Sequence, residues 1–569
     1  MPGRGNHRSP ASGARVEGAR GRCACVVPAL ALVVAAGSVF SSGSCSRDMG
    51  LEGMAFACSA SASCAAGFEC IDGVCEEVWG GAGASASLRL SLVGPGSDIE
   101  VNPFLDCRTL RLCYVLEGER SQRGCTERDF TLADAGDPVD FGVPAGLWFR
   151  VDGACLPAGS DVAAATGLSC PMSLEQGSVR EVPLLMMRPL TAAATVLLAS
   201  GEQTRLATAR AECSAAALDD GRILAAGGVA EGGDALDSAE IYDPRTGAVA
   251  AAQGALVTRR SAAPAVRLPD GRVALLGGVS SDGKALASVE LFDPASGTFA
   301  QGKPLSIPRA GHTATGLGSS GGVLVAGGTG DASASYEIWT PEAGSAVVRD
   351  LADARYDHAA VLLPGAQEDE GAPAVLLLGG QDGDAVLASA EKLFQSGSKW
   401  LSTPLQPLCS FPGGAPGGLA LSGLAAATVE EEAGAVVAGG KGVGRGQWSD
   451  AVCVRKEVVW LPVSDDASLS RSRALLSASA VERPSGDAVV FLGGIGQGGP
   501  EGSGDVVRVT HSSGQSTWVL ESAPEGLEVP RWGHAAVATC DGRVFVAGGW
   551  TGPGMQEGKP TDVTELFNP

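Results

Sequence analysis

Ile223-Leu-Ala-Ala-Gly-Gly228 is a run of four apolar residues followed by two glycines, and equivalent stretches recur six more times along the chain. The seven glycine doublets are Gly227 and Gly228, Gly277 and Gly278, Gly327 and Gly328, Gly379 and Gly380, Gly439 and Gly440, Gly493 and Gly494, and Gly548 and Gly549. Successive doublets are 50 to 60 residues apart. Because a regular spacing of about 50 residues between strand-like segments is typical of repeated β-sheets, the doublets predict an all-β repeat array over 189–569.

Each repeat is predicted to contain four strands. The strand that ends in the doublet follows a turn, which in three repeats is Asp220-Gly221, Asp270-Gly271 and Asp541-Gly542. Asp-Gly between two apolar strands is a strong hairpin signal, since both central residues of such a turn must accept a positive φ. A third strand follows the doublet, as in Val289-Glu-Leu-Phe-Asp-Pro294. Three tryptophans mark the fourth strand of their repeats: Trp400, Trp460 and Trp518.

This order of motifs resembles that of kelch repeats, each of which forms one four-stranded blade of a β-propeller. The resemblance covers 189–569 and implies a seven-bladed kelch-type propeller. The seventh repeat reaches Pro569 directly after its third strand. We therefore expect residues 193–199 to pair with the strand near 563–567 as its fourth strand, which closes the ring and removes exposed sheet edges.

The composition is that of a globular protein with many turns. Hydrophobic residues make up 45% and charged residues 18% of the 569 residues, and there are 82 glycines. The formal net charge is −23, from 64 acidic and 41 basic residues. Because binding to a phosphate backbone needs a clustered basic surface, this balance argues against a nucleic-acid partner. We expect a soluble, monomeric exported domain.

Residues 1–45 have the order of a secretory signal. A basic segment with five arginines precedes an apolar run at 24–36, and small residues follow at 41–44. The run is too short for a comfortable transmembrane helix. Gly43-Ser44-Cys45 resembles the lipobox of bacterial lipoproteins, although Ser42 stands where that family prefers an aliphatic residue. The resemblance implies a lipid on Cys45 that tethers the chain to a membrane; simple secretion and a retained anchor are the alternatives.

An exported chain with 16 cysteines is expected to contain disulfides. We expect the protein to be located in the outer membrane, at the cell surface or in the periplasm. Residues 46–80 are predicted to be a small module stapled by two disulfides. A four-thiolate zinc site is the alternative for this module, but its cysteine spacings are unlike those of zinc sites. Residues 81–188 alternate in polarity and predict a small disulfide-containing β-sandwich. The disulfide candidates are Cys58, Cys64, Cys70, Cys75, Cys107, Cys113, Cys125, Cys155, Cys170, Cys409 and Cys453.

Three of the five histidines follow an arginine by three residues, in repeats three, four and seven: His312, His358 and His534. A residue that recurs at equivalent repeat positions is better explained by a repeated structural task than by metal ligation. A side-chain hydrogen bond that holds the first strand of a blade is one such task. The recurring arginines are interpreted in the same way: Arg259, Arg260, Arg309, Arg355, Arg471, Arg473 and Arg531.

A kelch propeller with an appended β-sandwich resembles galactose oxidase and its relatives, which hold copper with two tyrosines and two histidines. The propeller tyrosines here are Tyr242, Tyr336 and Tyr356, and the first two occupy third-strand positions where an aromatic residue packs between blades. A sialidase or epimerase type of site would need convergent arginines, a tyrosine and carboxylates. We therefore predict no metal, no cofactor and no catalytic residue.

The expected function is non-catalytic binding of a protein or glycan partner at the cell surface. The loops after the doublets vary most in sequence and length, and binding residues tend to lie on such loops of a rigid scaffold. The alternative is a carbohydrate-active enzyme of the oxidase, epimerase or sialidase type with a divergent site. Convergence of carboxylates, arginines or tyrosines at one mouth of the propeller would favour the enzyme.

Overall fold

Short antiparallel strands make up almost all of the regular structure. The computed structural model describes residues 68–71, 74–77, 85–95 and 102–569, apart from 364–372, 398, 406–407, 409–420, 430–433, 443–447, 457–458, 464–467, 485, 513–514, 524–525 and 555–556. In this part the helical segments are 3-10 turns at Leu132–Gly136, Gly318–Ser320 and Gly330–Ala332. A helix of the length and apolarity needed to span a membrane is not found among the described residues. The predicted all-β class is confirmed.

Each glycine doublet follows the second strand of a four-stranded antiparallel arrangement, and we number these sheets 1 to 7 along the chain. Sheet 1 contains Ser214–Ala217, Ile223–Ala226, Ala239–Asp243 and Ala248–Ala251. Sheet 2 contains Ala265–Arg267, Val273–Leu276, Val289–Asp293 and Thr298–Gln301. Sheet 3 contains Thr313–Gly316, Val323–Ala326, Ser335–Thr340 and Gly344–Asp350.

The next three sheets repeat this strand order. Sheet 4 contains Ala359–Leu363, Ala374–Leu378, Ala390–Ser396 and Lys399–Leu405. Sheet 5 contains Ala425–Val429, Gly434–Ala438, Val452–Lys456 and Val459–Pro462. Sheet 6 contains Ser477–Val481, Asp487–Leu492, Gly504–Ser512 and Gln515–Ala523. Short two-residue strands in the connecting loops are Gln381–Asp382, Ala385–Val386, Arg473–Ala474, Ile495–Gly496 and Gly499–Pro500.

Sheet 7 combines strands from the two ends of the repeat region. It contains Ala535–Ala538, Val544–Ala547, Thr561–Asn568 and Thr191–Ala194, and Arg205–Arg210 also pairs with Thr561–Asn568. Thr191 lies opposite Asn568 and Ala194 lies opposite Glu565. The sequence analysis placed this strand at 193–199. The observed strand ends at Ala194 because the chain then turns back between Val196 and Gln203, which form an antiparallel bridge.

Backbone hydrogen bonds join each sheet to the next. The N–H of each second doublet glycine donates to a carbonyl that precedes the first strand of the following sheet, as from Gly228 to Arg260 with an N···O distance of 2.9 Å. The last of these bonds runs from Gly549 to Arg210 at 2.8 Å, so sheet 7 is bonded to sheet 1. The first strands of successive sheets also contact each other, including those of sheets 7 and 1.

Both doublet positions require glycine. The first glycines have φ between 57° and 69° and the second between 94° and 122°, which are conformations that side chains rarely adopt. Space is also short, because a Cβ on Gly277 would lie 2.9 Å from both the Arg309 carbonyl oxygen and the His312 ring. The doublet therefore allows the backbone of the next sheet to approach closely.

Apolar side chains fill the space between neighbouring sheets. In sheet 1 the second strand, Ile223–Ala226, is almost fully buried. Tyr242 stacks on Phe545 of sheet 7 with ring centroids 4.3 Å apart, as predicted for an aromatic residue between blades. Tyr336 does not hold the equivalent position in sheet 3; Trp339 does, because it has the strand register of Tyr242. Tyr336 lies three residues earlier in the same strand and is buried against sheet 4.

The Asp-Gly turns are longer than predicted. In sheet 1 the N–H of Gly221 donates to the Leu218 carbonyl, and the N–H of Leu218 donates to the Arg222 carbonyl. Gly221 has a φ of 82°, whereas Asp220 is not among the residues with positive φ. The expectation that both central residues have positive φ was wrong, because the Asp220 carboxylate accepts the Arg222 N–H at 3.1 Å and closes the turn from an ordinary conformation.

Two further sheets pack face to face before the repeat region and enclose one apolar cluster, with Leu90 and Leu112 on opposite sides. One sheet contains Val179–Leu185, Ser85–Val93 and Val139–Pro144, with the first two strands parallel. The other contains Arg123–Asp129, Thr109–Leu116, Trp148–Leu156, Ala165–Leu168 and Met172–Ser173. We call this unit the sandwich. Ahead of it, Phe68–Ile71 and Val74–Glu77 form a hairpin whose register sets Cys70 opposite Cys75.

Three disulfides have both cysteines in the described residues: Cys107–Cys155, Cys113–Cys125 and Cys170–Cys540. The first two lie within the sandwich, whereas the third joins the sandwich to the Asp-Gly turn of sheet 7. Cys540 was not a disulfide candidate in the sequence, because its partner is 370 residues away.

Of the remaining cysteines, some are bonded or free in the described residues and others lie outside them. Cys453 is disulfide-bonded, and its predicted partner Cys409 lies outside the described residues. Cys45, Cys58 and Cys64 also lie outside them. Among the described cysteines, Cys213 is a free thiol.

Polar contacts add to the disulfide at the junction between sandwich and repeat region. Arg120 donates to both carboxylate oxygens of Asp487 in sheet 6, at 3.0 and 2.9 Å. Beside this junction, Arg483 joins sheet 6 to sheet 7 by donating to the carbonyls of Gly542 and Pro569, both at 2.7 Å. The sandwich and the repeats therefore belong to one compact unit, which extends over 57–569.

We expect the substitution Cys540→Ser to destabilise the protein, because the disulfide closes a separation of 370 residues and the loss of such a bond typically costs about 2–5 kcal/mol. Peptide mapping without reduction identifies the link between Cys170 and Cys540, and thermal unfolding measures the loss. Cys213→Ser is the control and leaves the link intact with a small change in melting temperature. Recovery of Cys170 linked to a different cysteine would contradict the assignment.

Candidate functional site on the doublet face

The second strands end, and the first and third strands begin, at one end of sheets 1 to 7. We call this end the doublet face. It is built from the loops after the doublets and from the segments that precede the first strands. Backbone bridges connect these two sets of segments, as between Tyr356 and Gln381 and between Trp532 and Trp550. Side chains from both sets are therefore brought together on this face.

A buried arginine and a buried acid pair in six of the seven sheets. The guanidinium-to-carboxylate pairs are Arg210 with Glu240 at 2.7 Å, Arg260 with Glu290 at 2.8 Å, Arg309 with Glu337 at 2.7 Å, Arg355 with Glu391 at 3.6 Å, Arg473 with Asp505 at 2.7 Å, and Arg531 with Glu565. The arginine side chains in these pairs are fully buried. The arginine comes from the segment before the first strand and the acid from the third strand.

Arg260 shows how an arginine clamps two doublets, as do all of the paired arginines except Arg473, which donates to the Phe491 carbonyl instead. Its Nη1 donates to the carbonyls of Gly277 and Ser288, both at 2.9 Å, and its Nη2 donates to Glu290. Its own carbonyl accepts the N–H of Gly228 in the preceding sheet. Burial lowers the pKa of Arg260 and the Glu290 carboxylate opposes that shift. The arginine thus bonds to the Gly277 carbonyl at the sharp turn and shares the Ser288 carbonyl with the N–H of Gly277.

Sheet 5 is the exception, because Leu421 and Cys453 occupy the positions of the arginine and the acid. The Leu421 carbonyl still accepts the N–H of Gly380 at 2.8 Å, so the backbone link persists. Both side chains are buried. Replacing both partners of a buried ion pair with apolar groups is far less costly than removing one of them, which explains why the exchange has occurred at both positions.

The histidines have the structural role that their repetition predicts, with one difference. His358 Nε2 shares a hydrogen bond with the Thr313 hydroxyl at 2.8 Å, and His534 Nε2 shares one with the Ser477 hydroxyl at 2.9 Å. Each bond reaches the first strand of the preceding sheet. His312 finds no hydroxyl among the described residues, because Pro264 stands at the equivalent position.

All three histidines are neutral at pH 7. Burial, reinforced by the charge of nearby buried arginines, lowers the pKa of His312 and of His534 to about 3. Burial also holds the pKa of His358 well below its ordinary value. Within the described residues, no three side chains of His, Cys, Asp or Glu are grouped as metal ligands would be.

The arginines named in the sequence analysis divide into two groups. Arg260, Arg309, Arg355, Arg473 and Arg531 are the buried clamps described above. Arg259 and Arg471 are exposed and form surface ion pairs, with Asp237 at 3.2 Å and with Glu501 at 3.7 Å. The expectation that all seven share one repeated role was therefore wrong for these two, which lie one and two residues before a clamp.

The residue two positions after each clamp arginine, or after Leu421 in sheet 5, has a left-handed backbone. The seven residues, with φ between 50° and 65°, are Glu212, Ala262, Gly311, Asp357, Gly423, Leu475 and Gly533. They are linked from sheet to sheet by backbone hydrogen bonds, as from Glu212 N–H to the Gly533 carbonyl at 2.7 Å. Glycine adopts this conformation freely, whereas other residues are strained by it.

Two of the strained residues are acids with raised pKa values. Burial raises the pKa of Glu212, and the negative charge of Asp357 raises it further, while a hydrogen bond from Trp550 Nε1 at 3.2 Å opposes the shift. The pKa of Asp357 is raised by surrounding protein, although its side chain is accessible to solvent. Gln381 donates to Asp357 at 3.2 Å.

Aromatic residues surround these carboxylates. Trp532 and Trp550 stack with ring centroids 6.0 Å apart and are buried. Tyr356 precedes Asp357, and its hydroxyl donates to the Gly383 carbonyl at 3.0 Å. The doublet face therefore combines carboxylates, neutral donors and aromatic rings, which together can bind a polar ligand such as a sugar or a peptide.

The sequence analysis missed Glu212 and Asp357. The sequence does contain a signal for them. When the seven repeats are aligned, three of them have glycine two residues after the clamp, which predicts a left-handed backbone at that position. Non-glycine residues at that position stand out only after the repeats have been aligned on the arginine.

A model of the kelch motif matches residues 210–248, which span the first clamp arginine, the first doublet and the third strand of sheet 1. The chain carries a kelch motif. The kelch resemblance is therefore confirmed for the first repeat, and the all-β class of the repeat region agrees with it.

Two solved structures are similar to this chain at low sequence identity. The protein YjhT is 15% identical, with 56% of this chain and 99% of that chain covered and a TM-score of 0.40. A fungal alcohol oxidase of the AA5 family, in complex with copper, is also 15% identical, with 64% of this chain and 75% of that chain covered and a TM-score of 0.47. No curated protein matches the chain.

We expect the substitution Arg260→Leu to cost about 3–5 kcal/mol of unfolding free energy, because it leaves the Glu290 carboxylate buried without a charge partner. The double substitution Arg260→Leu with Glu290→Val creates an apolar pair of the kind found in sheet 5 and is expected to cost less than the sum of the two single changes. Denaturant unfolding of all four proteins measures the coupling.

The neighbouring Arg259→Leu is the matched control. Its surface ion pair with Asp237 is exposed, so the expected change is within about 0.5 kcal/mol. Equal losses from Arg259→Leu and Arg260→Leu, or strict additivity in the double variant, would refute the clamp.

Proposed function

We propose that sheets 1 to 7 are the blades of one closed, seven-bladed kelch propeller. The cycle of doublet hydrogen bonds that ends at Gly549 and Arg210 supports closure. The pairing of Thr191–Ala194 with the last strand of the chain supports it too, because it joins the two ends of the repeat region. In a closed ring the residues that follow the clamps surround a single central mouth.

We propose that this mouth binds a protein or glycan partner and that the chain is a binding module without catalytic activity. The carrying observation is that Glu212 and Asp357 hold a left-handed backbone, which costs about 1–3 kcal/mol at each position. Ala262 and Leu475 hold the same backbone without a charged side chain, so the proposal rests on the carboxylates that Glu212 and Asp357 bring to these positions. The net charge of −23 is consistent with a monomer that does not bind nucleic acid.

A carbohydrate-active enzyme is the second candidate. Two carboxylates with raised pKa values in one electrostatic neighbourhood are the groups that general acid–base chemistry on a glycan requires. Glu212 and Asp357 meet this description, since the charge of one raises the pKa of the other.

The chain without residues 1–45 is expected to bind an array of immobilised glycans or intact cells. Asp357→Asn and Glu212→Gln each remove one charge at the mouth, and we expect each to weaken binding roughly tenfold, as for the loss of a hydrogen bond to a charged group. Asp219→Asn, in the exposed turn at the opposite end of sheet 1, is the matched control and leaves binding unchanged. Surface binding assays measure all three.

The outcomes separate the candidates. Binding that survives both substitutions but is lost in Asp219→Asn would move the site to the opposite end. A change in glycan mass after incubation with the chain, abolished by Glu212→Gln, would establish the enzyme instead.

We propose that the protein is exported and tethered to a membrane by a lipid on Cys45. The disulfides of the sandwich indicate an oxidising compartment, and the order of charged, apolar and small residues in 1–45 is that of an export signal.

Cells that express the chain and receive an alkyne-labelled fatty acid are expected to label it. Cys45→Ser abolishes the label, because the acylated thiol is absent, whereas the control Cys25→Ser in the apolar run retains it. Labelling of Cys45→Ser at the level of the unsubstituted chain would show that the lipid site is elsewhere.

A further inference from the structure

A cavity of about 610 Å³ lies between the sandwich and sheets 1 and 7. Its size is within the range of roughly 300–1,000 Å³ that small-molecule sites occupy. The sheet side is formed by the turn at 243–246, which joins the third and fourth strands of sheet 1, and by Asp541 and Arg543 of sheet 7. These turns lie at the end opposite to the doublet face, so the cavity is separate from the site proposed above.

The walls of the cavity are held in place by covalent and polar links. Cys170 lines it and is bonded to Cys540, which directly precedes Asp541. Asp541 pairs with Arg543 at the buried base of the cavity. A site with its opposite walls tied together loses little conformational entropy when a ligand binds.

Trp148 supplies an aromatic surface at the edge of the cavity. It is 55% exposed, although tryptophan is mostly buried on average. Trp148 begins a sandwich strand and is paired with Ser173, which also lines the cavity. An accessible aromatic face beside a polar cavity is suited to stacking against the apolar face of a sugar ring.

The acidic lining residues already have partners. Glu181 lies 3.8 Å from Arg89, Asp541 pairs with Arg543, and Asp243 accepts the backbone N–H of Arg245 at 2.9 Å. Of the three, Asp541 is the one that is buried in a close ion pair, whereas 76% of the Glu181 side chain is exposed.

The cationic lining residues are less completely satisfied. Arg180 is exposed and has no ion pair within the described part of the chain. The buried Arg543 places Nη1 3.6 Å from the Met187 sulfur, a weak acceptor, and its Nε has no acceptor among the described residues. The lining has three arginines, Arg180, Arg245 and Arg543, and three acids, so its formal charge is balanced. The exposed guanidinium of Arg180 is therefore the group that favours an anionic ligand group over a neutral one.

We propose that this cavity binds an acidic oligosaccharide, with a sugar ring on Trp148 and a carboxylate on the guanidinium of Arg180. Arginine binds a carboxylate through two parallel hydrogen bonds, which are stronger than those of neutral groups. The aromatic ring contributes affinity for the carbohydrate, and Arg180 selects the acidic residue over its neutral counterpart.

Calorimetric titration tests this with the chain lacking residues 1–45. The probes are a disaccharide that contains glucuronic acid and the disaccharide of the same linkage that contains glucose. We expect the acidic probe to bind more tightly, and we expect Trp148→Ala and Arg180→Gln each to weaken it roughly tenfold. Arg180→Gln reduces the preference for the acidic probe, whereas Trp148→Ala weakens both probes.

Leu132→Ala and Arg259→Gln are matched controls, because both residues are exposed and lie outside the cavity lining. They leave binding unchanged, and thermal unfolding checks that all four variants are folded. Equal binding of both probes, no binding of either at millimolar concentration, or unchanged binding in both cavity variants would overturn the proposal. Preferential binding of an acidic peptide over the acidic disaccharide would overturn the choice of ligand.

Discussion

A buried arginine that reaches between two glycine doublets is the interaction on which the repeat region depends. The side chain of Arg260 satisfies carbonyls of its own sheet, and its carbonyl receives the N–H of Gly228 in the sheet before. Because every sheet repeats the backbone half of this arrangement, the sheets are linked in sequence and the last is linked to the first. The glycines create the sharp turn, and in six of the seven sheets a buried arginine bonds to carbonyl groups beside it.

Burying an ion pair costs desolvation free energy, and sheet 5 shows that a sheet can form without the pair. Leu421 and Cys453 replace both partners there, while the backbone bond to Gly380 is retained. A buried pair therefore contributes mainly by avoiding an unpaired charge and by specifying geometry. The histidines also connect neighbouring sheets. His358 and His534 each bond to the first strand of the preceding sheet, where a hydroxyl is available.

The clamp also determines where function can be located. Two residues beyond it the backbone is left-handed in every sheet, so glycine is expected and any other residue is strained. Glu212 and Asp357 accept that strain and bring carboxylates to the doublet face. At the opposite end the disulfide between Cys170 and Cys540 ties the sandwich to the repeats and creates a second cavity. The two candidate sites thus use the two ends of the same sheets.

The sequence by itself determined the all-β repeat array, because the spacing of the doublets and the alternation of apolar residues are local patterns. It also predicted the role of His358 and His534 and the strand that joins the chain ends. Only the tertiary structure decided which cysteine bonds to Cys170 and that Asp357 influences the pKa of Glu212, since these residues are far apart in the chain. The Asp-Gly turns were predicted too short for a similar reason: the carboxylate of Asp220 selects among turn types through a contact that composition alone does not show.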